Sequence, residues 1–370
     1  MPPRLLFRMT TLTLMAGLLL TTALASPAFA RCTVTLRADG NTAAIQRAMD
    51  APGRRTPVVC LKPGIYKGAR LIATRSVVLK RVGKGRAVFD AGGRGRVLTV
   101  MGEKANVTLQ GLTLTNGSSE EGGAAAVIGG GTLRIVGGWI TANQGTRKGG
   151  AVWVKAGKLE LVQTRVSGNR GGAGGAVYVS DGGTAKIASS LISDNKNATG
   201  NDGPLHIRSG ATLLLLSSTL AYNSGQGVYV EAAKGTQTPA AVRIESSVIM
   251  GTPDAVRISR KEAANVAVFR SVLYGGVGFI PLDLDSSRLL PVFNLTDTER
   301  YRPTFGSPAI GIGSCTDRDT TRDVAGNKRG RRCTAGALES TRVEIKKTMK
   351  ARKKVQKSEP EAQPWSYPEG

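Results

Sequence analysis

Three stretches of the chain decide its fold: residues 132–140 read TLRIVGGWI, residues 158–166 read KLELVQTRV, and residues 184–192 read TAKIASSLI. Each stretch begins with alternating apolar and polar residues, bends at small residues and ends on another apolar position. Alternation with a period of two indicates a short β-strand, and the small residues indicate a bend. The three stretches end 26 residues apart, so they are copies of one repeating unit.

The same unit recurs on both sides. Related segments occupy 106–114, 212–220, 241–249 and 265–273, and the whole series advances by 26, 26, 26, 28, 29 and 24 residues. Further short strands lie between the units, at 124–128, 150–154, 175–179, 203–207, 226–230 and 254–258. No helix of useful length fits between the strands, so the coils must stack in parallel, about 4.8 Å apart. The predicted fold is an all-β, single-stranded, right-handed parallel β-helix, a solenoid with about 26 residues per coil.

Asparagines recur just after the bends, at Asn143, Asn169, Asn195 and Asn223. In a stacked coil such residues form an amide ladder and tolerate the left-handed backbone of a tight corner. The paired glycines at 149–150 and 174–175 suit tight corners. They do not indicate a phosphate-binding loop, because no Walker lysine or helix follows them. Both features predict corners of the solenoid.

The ends of the solenoid require caps. Residues 41–51 place Ala44, Ile45, Ala48 and Met49 on one helical face, which predicts an N-terminal capping helix within a cap at 31–60. The solenoid is expected to span 31–340, with a C-terminal cap at 280–340. Residues 341–370 are rich in Lys, Pro and Glu and are expected to be a disordered basic tail, either solvated or touching an anionic surface.

The first 30 residues are typical of a secretory signal peptide. Arg4 and Arg8 precede a long apolar stretch, and Ala28 and Ala30 form a small-x-small cleavage site. The mature chain is expected to begin at Arg31, and no later run is long enough to span a membrane. The sequence therefore predicts an exported bacterial protein, periplasmic or extracellular.

The chain is strongly basic, with 51 Lys and Arg against 26 Asp and Glu, a formal net charge of +25. Such a charge attracts polyanions. The cations are scattered along the coils without a nucleic-acid-binding motif, so no nucleic acid is expected as a partner. An acidic glycan or an anionic envelope component is favoured; the alternative is a solvated charged surface without a ligand.

Four cysteines lie near the two ends of the solenoid: Cys32, Cys60, Cys315 and Cys333. Four cysteines allow three connectivities. Only local pairing avoids joining opposite ends of the rod, so we predict disulfides Cys32–Cys60 and Cys315–Cys333. Export to an oxidising compartment favours disulfides over a metal site.

One outward column of the second strand carries conspicuous side chains. Lys155, Arg208 and Glu231 lie on the same face, two residues further along their strands. By alternation, the neighbours on either side of the column are apolar and point inward. Down the stack, the column runs Val127, Trp153, Tyr178, His206, Tyr229 and Arg257.

An exposed row of aromatic rings flanked by cations favours sugar rings that bear carboxylate or sulfate groups. Under this interpretation the protein is a monomeric binder that needs no cofactor or metal. One alternative is that the rings merely stack along the solenoid or lie under a loop, and another is a surface structural or adhesin-like protein. The predicted glycan-binding residues are Trp153, Lys155, Tyr178, His206, Arg208, Tyr229 and Arg257.

A catalytic alternative uses the same face. In a metal-independent polysaccharide lyase, Arg208 or Arg257 would neutralise the carboxylate of a uronic-acid polymer. His206 would abstract the proton alpha to that carboxylate, and Tyr178 or Tyr229 would protonate the leaving oxygen. Nothing in the sequence indicates a groove deep enough to exclude water, so this hypothesis ranks second.

Several segments resemble known secreted proteins. DGNTAAIQRAMDA followed by VCLKPGIYKG resembles the start of pectate-lyase-like β-helix proteins, and the GGAV and I-x-x-N repeats resemble polymorphic outer-membrane protein coils. Residues 307–315 and 323–340 are similar to a choice-of-anchor segment. The resemblance implies the β-helix fold; the aspartate clusters of pectate lyases and polygalacturonases are not expected here, because Asp181, Asp202 and Asp254 fall on separate coils.

Overall fold

The computed structural model describes residues 31–38, 42–198, 200, 202–231, 238–260, 264–277, 301–303, 305 and 307–358. The predicted signal peptide, residues 1–30, lies outside the described residues. The described chain is a parallel β-helix of about nine turns with roughly 26 residues per turn, as the repeat predicts. Neighbouring turns pair in register along the first sheet, and register shifts occur in the third sheet and between the last two strands of the second.

The first sheet carries the first strand of each repeat. Its inward positions stack in columns of apolar side chains, such as Leu133, Leu159, Ala185 and Leu213. Its strands, in stacking order, are β1 (Val34–Leu36), β2 (Val58–Leu61), β5 (Val77–Arg81), β8 (Asn106–Gln110), β12 (Thr132–Val136), β16 (Lys158–Val162), β20 (Thr184–Ala188), β24 (Thr212–Leu216), β27 (Ala240–Glu245) and β29 (Ala264–Phe269).

The second sheet has two arms that the long strand β28 joins. One arm contains β3 (Gly64–Lys67), β6 (Ala87–Asp90), β9 (Leu112–Thr115), β13 (Trp139–Thr141), β17 (Arg165–Ser167), β21 (Leu191–Ser193), β25 (Thr219–Ala221) and β28 (Val248–Ile258), with β30 (Val272–Val277) beside β28. The other arm contains β26 (Val228–Glu231), β23 (Leu205–Arg208), β19 (Val177–Ser180), β15 (Val152–Lys155), β11 (Ala125–Ile128), β7 (Leu98–Met101) and β4 (Leu71–Ala73).

Between the two arms the chain makes short excursions that pair with one another. These excursions form a third, four-stranded sheet next to the second arm, and a separate antiparallel pair lies near the C-terminus. The third sheet contains β10 (Ser118–Glu121), β14 (Gln144–Lys148), β18 (Arg170–Ala173) and β22 (Lys196–Asn197), and the pair is β31 (Gly313–Ser314) with β32 (Arg332–Cys333).

Two polar ladders hold the corners. The predicted asparagine ladder is present: the Nδ2 of Asn143 donates to the Oδ1 of Asn169 at 2.9 Å, and Asn169 donates in the same way to Asn195 at 2.9 Å. A second ladder, which the sequence analysis did not identify, links Thr164, Ser190, Ser218, Ser247 and Ser271 through hydroxyl–backbone bonds. Except for Asn223, which is partly exposed, the members of both ladders are buried, and bonds to adjacent coils satisfy their polar groups.

The N-terminal cap agrees with the prediction. Helix α1 (Thr42–Asp50) buries Ile45 and Met49 against the first coil. The disulfide Cys32–Cys60 fastens β1 to β2 with a Cα–Cα distance of 5.6 Å, and Cys315–Cys333 joins β31 to β32 at 6.0 Å. Both predicted pairings are confirmed.

The C-terminal segment lies along the side of the β-helix. The side chain of Asp319 accepts hydrogen bonds from Arg134 (2.7 Å) and Lys186 (2.9 Å), and the backbone oxygen of Asp323 accepts one from Gln163 (2.9 Å). Burial alone would raise the pKa of Asp319, but the bonds from Arg134 and Lys186 lower it below its usual value. The cap was predicted at 280–340. In its described part this segment is instead a strap along the side of the rod, and ionic contacts hold it to the first sheet.

The predicted disordered tail begins instead with a helix, α2 (Arg342–Ser358). The expectation of disorder from residue 341 is corrected for this stretch, whereas 359–370 lie outside the described residues. A capping box explains the helix: Thr341 Oγ1 accepts from the Glu344 amide at 3.2 Å, and Glu344 Oε2 accepts from the Thr341 amide at 2.9 Å. Thr348 is buried, so the helix is also anchored by packing.

Candidate functional site

Strand pairing brings the predicted aromatic residues into one column. Trp153 pairs with Tyr178, Tyr178 with His206, and His206 with Tyr229 across four adjacent coils. Arg257 follows next to Tyr229. The aromatic column is defined here as Trp153, Tyr178, His206 and Tyr229.

Val127 was predicted to lie in this column, and that assignment was wrong by one residue. Ala126 pairs with Trp153, whereas Val127 pairs with Val154 and is fully buried in the core. Residues 124–127 are all apolar, so alternation does not separate inward from outward positions there. The column therefore begins at Trp153.

The expectation of a uniformly exposed aromatic row was also wrong. Tyr178 is 3% exposed and His206 5% exposed, whereas Trp153 and Tyr229 are partly exposed. The Nζ of Lys148, on the third sheet, lies 5.6 Å from the centre of the Tyr178 ring and 5.9 Å from that of Trp153. The middle of the column is thus covered, and its two ends are partly exposed to solvent.

His206 occupies the centre of a closed set of contacts. Its Nδ1 lies 2.9 Å from Asp202 Oδ2 and its Nε2 lies 3.1 Å from Glu231 Oε2. The imidazole stacks on Tyr178 with ring centres 4.4 Å apart and meets the ring of Tyr229 edge-on at 5.1 Å. Both ring nitrogens and both neighbouring aromatic positions are therefore occupied.

Asp202 reaches His206 because a glycine corner leaves room. Its carboxylate also accepts hydrogen bonds from the backbone N–H groups of Gly174 (2.8 Å) and Gly203 (2.6 Å). Gly174 has a φ of +64°, and a Cβ there would lie 2.7 Å from the Val177 oxygen and 3.2 Å from the His206 Cβ. Any larger residue at 174 would strain the backbone and crowd the histidine.

The carboxylates determine the charge of the site. Burial alone would lower the pKa of His206, but its hydrogen bonds to Asp202 and Glu231 outweigh that effect and raise the pKa above its usual value. The bond from His206, assisted by the nearby Arg208, lowers the pKa of Glu231. Burial raises the pKa of the Tyr178 hydroxyl. The two carboxylates therefore favour the protonated form of the imidazole.

This geometry limits what His206 can do chemically. A general base needs a free nitrogen lone pair within reach of the substrate proton. Both nitrogens of His206 are engaged, its pKa is raised, and its side chain is nearly inaccessible. His206 is therefore suited to positioning Tyr178, Tyr229 and Glu231 rather than to proton abstraction.

The accessible rim of the site carries charges of both signs, and three of its four cations pair with carboxylates. Arg208 Nε lies 3.4 Å from Glu231 Oε2, and Arg257 pairs with Asp254 at 3.0 Å with half of its side chain exposed. Lys148 pairs with Glu121 at 3.2 Å, and Lys155 is exposed beside Trp153. The rim offers both guanidinium donors and aromatic surface.

Two members of this site were not predicted from the sequence. Asp202 was expected near a corner, on a different coil from Asp181 and Asp254, and Lys148 was not considered. Asp202 lies four residues before His206, at the corner that precedes the same strand, which is the pattern that identifies it. Lys148 was not identifiable, because its approach to the column depends on the third sheet.

His206 predicts a pH dependence of stability. The folded protein holds the imidazole proton more tightly than the unfolded chain does, so this contribution is complete below about pH 6.5 and is lost as the pH rises through the folded-state pKa. We expect the free energy of unfolding, measured with urea, to fall more in wild type than in His206→Gln as the pH rises from about 6 to about 9. His206 is the only histidine in the chain, so NMR titration of its ring gives the pKa directly. A folded-state pKa below about 6.5 would refute the assigned contacts.

Comparisons with known proteins concern the fold. No family model matches the chain, and no curated protein matches its sequence. Among solved structures, pectate lyase Pel9A is 14% identical with a TM-score of 0.44, covering 84% of this chain and 97% of that one. A pectin methylesterase in complex with hexasaccharide VII is 12% identical with a TM-score of 0.38, covering 73% of this chain and 94% of that one.

Strand pairing between successive turns establishes the parallel β-helix that the sequence predicts. The polymorphic outer-membrane and choice-of-anchor resemblances stay predictions. In the described part of the chain, no helix has the length and apolarity needed to cross a membrane. The two disulfides fit an exported protein.

Proposed function

We propose that this exported β-helix protein binds an acidic polysaccharide, or another anionic polymer of the cell envelope, along the aromatic column without altering it. The observation that carries the proposal is the arrangement of the column: two partly exposed rings, Trp153 and Tyr229, lie on either side of a buried Tyr178–His206 stack. Rigid aromatic surface of this kind binds sugar rings with little loss of side-chain entropy.

The spacing of the column suits an extended chain. Trp153 and Tyr229 lie three coils apart, or about 14 Å along the rod. A polymer lying parallel to the rod axis can therefore contact both rings at once. Two weak contacts on one ligand increase the overall affinity, because the second forms within the same complex.

The charge of the rim favours acidic sugars. Lys155 and Arg257 are exposed, and Arg208 lies between them with a third of its side chain accessible. Guanidinium groups bind carboxylates and sulfates through paired hydrogen bonds. The formal net charge of +25 adds a long-range attraction that salt weakens.

A polysaccharide lyase is the second hypothesis. Arg208 and Arg257 lie at the accessible rim, and in a lyase they would neutralise a substrate carboxylate. The position of His206 opposes this hypothesis, since both of its nitrogens are bound to carboxylates. A lyase on this face would therefore need another base, and the binding role is the one that the geometry supports best.

The two hypotheses predict different results when the protein meets an acidic glycan. The mature protein would be passed over immobilised polygalacturonate and over a neutral glycan at low and high salt, while the ultraviolet absorbance of released unsaturated sugar is followed. We expect salt-sensitive retention on the acidic glycan, no retention on the neutral one and no new absorbance. Absorbance that grows with time would establish a lyase, and equal retention on both glycans would contradict the proposal.

A further inference from the structure

A second groove lies on a different corner of the rod, where the first sheet meets the first arm of the second. The cavity has a volume of about 430 Å³, within the range of small-ligand sites. Val324 and Ala325 of the C-terminal strap close one end of it. We name it the corner groove; its main lining residues are Arg81, Arg86, Gly111, Gly137, Trp139 and Arg165.

The corner groove is open because glycine occupies two of its lining positions, 111 and 137. The corner position after the first strand is occupied in five later coils by residues with side chains, all at φ between +46° and +53°: Gln163, Ser189, Ser217, Ser246 and Arg270. The turn itself therefore does not require glycine. Glycine at 111 and 137 instead removes side-chain volume, and a Cβ at Gly137 would meet nothing within 4 Å.

Three arginines surround this space. The guanidinium of Arg86 lies 4.6 Å from the centre of the Trp139 ring, and Arg165 pairs with Trp139 from the next coil. Arg81 is held by the backbone oxygen of Gly85 at 2.6 Å. The described residues that line the groove include no carboxylate, so three positive charges converge there without a lining counter-charge.

Trp139 is fixed as a partly exposed surface beside these charges. Its Nε1 donates to Ser167 Oγ at 2.8 Å, which orients the indole. An aromatic ring next to a triple guanidinium cluster combines contact for a sugar ring with charge for a dianion. A single carboxylate would neutralise only one of the three charges, whereas a phosphate monoester carries nearly two.

We propose that the corner groove binds a phosphorylated saccharide, with the phosphate on Arg86 and Arg165 and the sugar against Trp139. This site goes beyond the proposed function, because it uses different residues and a different ligand. Loss of polysaccharide binding at the aromatic column leaves it intact, so the two proposals fail separately.

Calorimetric titration of the full mature chain with glucose 1-phosphate tests the site. We expect binding that weakens at least about tenfold in Arg165→Gln and in Gly137→Gln. Gly137→Gln fills the groove without changing its charge, and Gln163 already adopts the same conformation one coil later. Gly102→Gln is the matched control: it also has positive φ and open space at Cβ, lies outside the groove, and is expected to bind like wild type.

Two further ligands and one further variant complete the test. Inorganic phosphate is expected to bind at least about tenfold more weakly than glucose 1-phosphate, and glucose not measurably. Trp153→Ala is expected to leave the sugar phosphate affinity unchanged. Equal affinity for galacturonate or inorganic phosphate, or unaltered binding in both groove variants, would overturn the assignment.

Discussion

Replacing His206 with alanine is expected to lower the free energy of unfolding by about 3–5 kcal/mol. The substitution removes the cation that lies between Asp202 and Glu231 and leaves the buried carboxylate of Asp202 without its 2.9 Å partner. It also opens a void beneath Tyr178, which stacks on the imidazole. Urea unfolding at about pH 6, below the usual pKa of histidine, measures the effect.

Arg257→Ala serves as the matched control for this experiment. Arg257 belongs to the next coil of the same column, but half of its side chain is exposed and its pairing with Asp254 lies at the surface. We expect its replacement to change stability by less than about 0.5 kcal/mol. A loss of under about 1 kcal/mol in His206→Ala would show that the carboxylates do not depend on the imidazole.

Asn169→Ala is expected to cost about 3 kcal/mol, because it interrupts the corner ladder at its middle. The Asn169 carboxamide accepts from the amide and side chain of Asn143 at 3.0 and 2.9 Å. It donates to Ile140 O at 3.0 Å and to Asn195 at 2.9 Å. Alanine leaves these groups buried without their partners.

The control for the ladder is Asn106→Ala. Asn106 is exposed at the start of its strand, so its replacement is expected to alter the unfolding free energy by less than about 0.5 kcal/mol. Thermal and urea unfolding of the two variants measure the difference. Equal stability of both variants would mean that water satisfies the ladder as well as the neighbouring asparagines do.

The repeating parts of the fold were predictable because one pattern occurs many times. Alternation around Leu133 recurs around Leu159, and the register follows from the common spacing. Alternation failed at Val127, where every neighbour is apolar and nothing distinguishes the two sides of the strand. Periodicity predicts a strand, but a contrast between polar and apolar neighbours is needed to orient it.

The site was only partly predictable, because its chemistry depends on contacts between coils. The column itself followed from stacking, whereas the burial of Tyr178 depends on its cover, including Lys148 from the third sheet. Asp202 reaches His206 through a corner whose path depends on Gly174. Corners and excursions have no period, so their side chains are not assigned by stacking.

The C-terminal part differs most from the prediction, because its contacts also lie outside the periodic repeats. Asp317 and Asp319 lie more than 130 residues from Lys186 in the chain, yet both contact it. Such long-range ion pairs follow no local rule. The helix after Thr341, in contrast, had a local indication in its capping box, which the abundance of lysine obscured.

The affinity of Trp153→Ala for a polygalacturonate oligomer tests the central claim most directly. Calorimetry at low salt would compare it with wild type and with Asn106→Ala, which lies on the first sheet. If the aromatic column binds acidic polysaccharide, Trp153→Ala weakens binding by about tenfold while Asn106→Ala does not. An unchanged dissociation constant for Trp153→Ala would contradict the proposed binding role of the column.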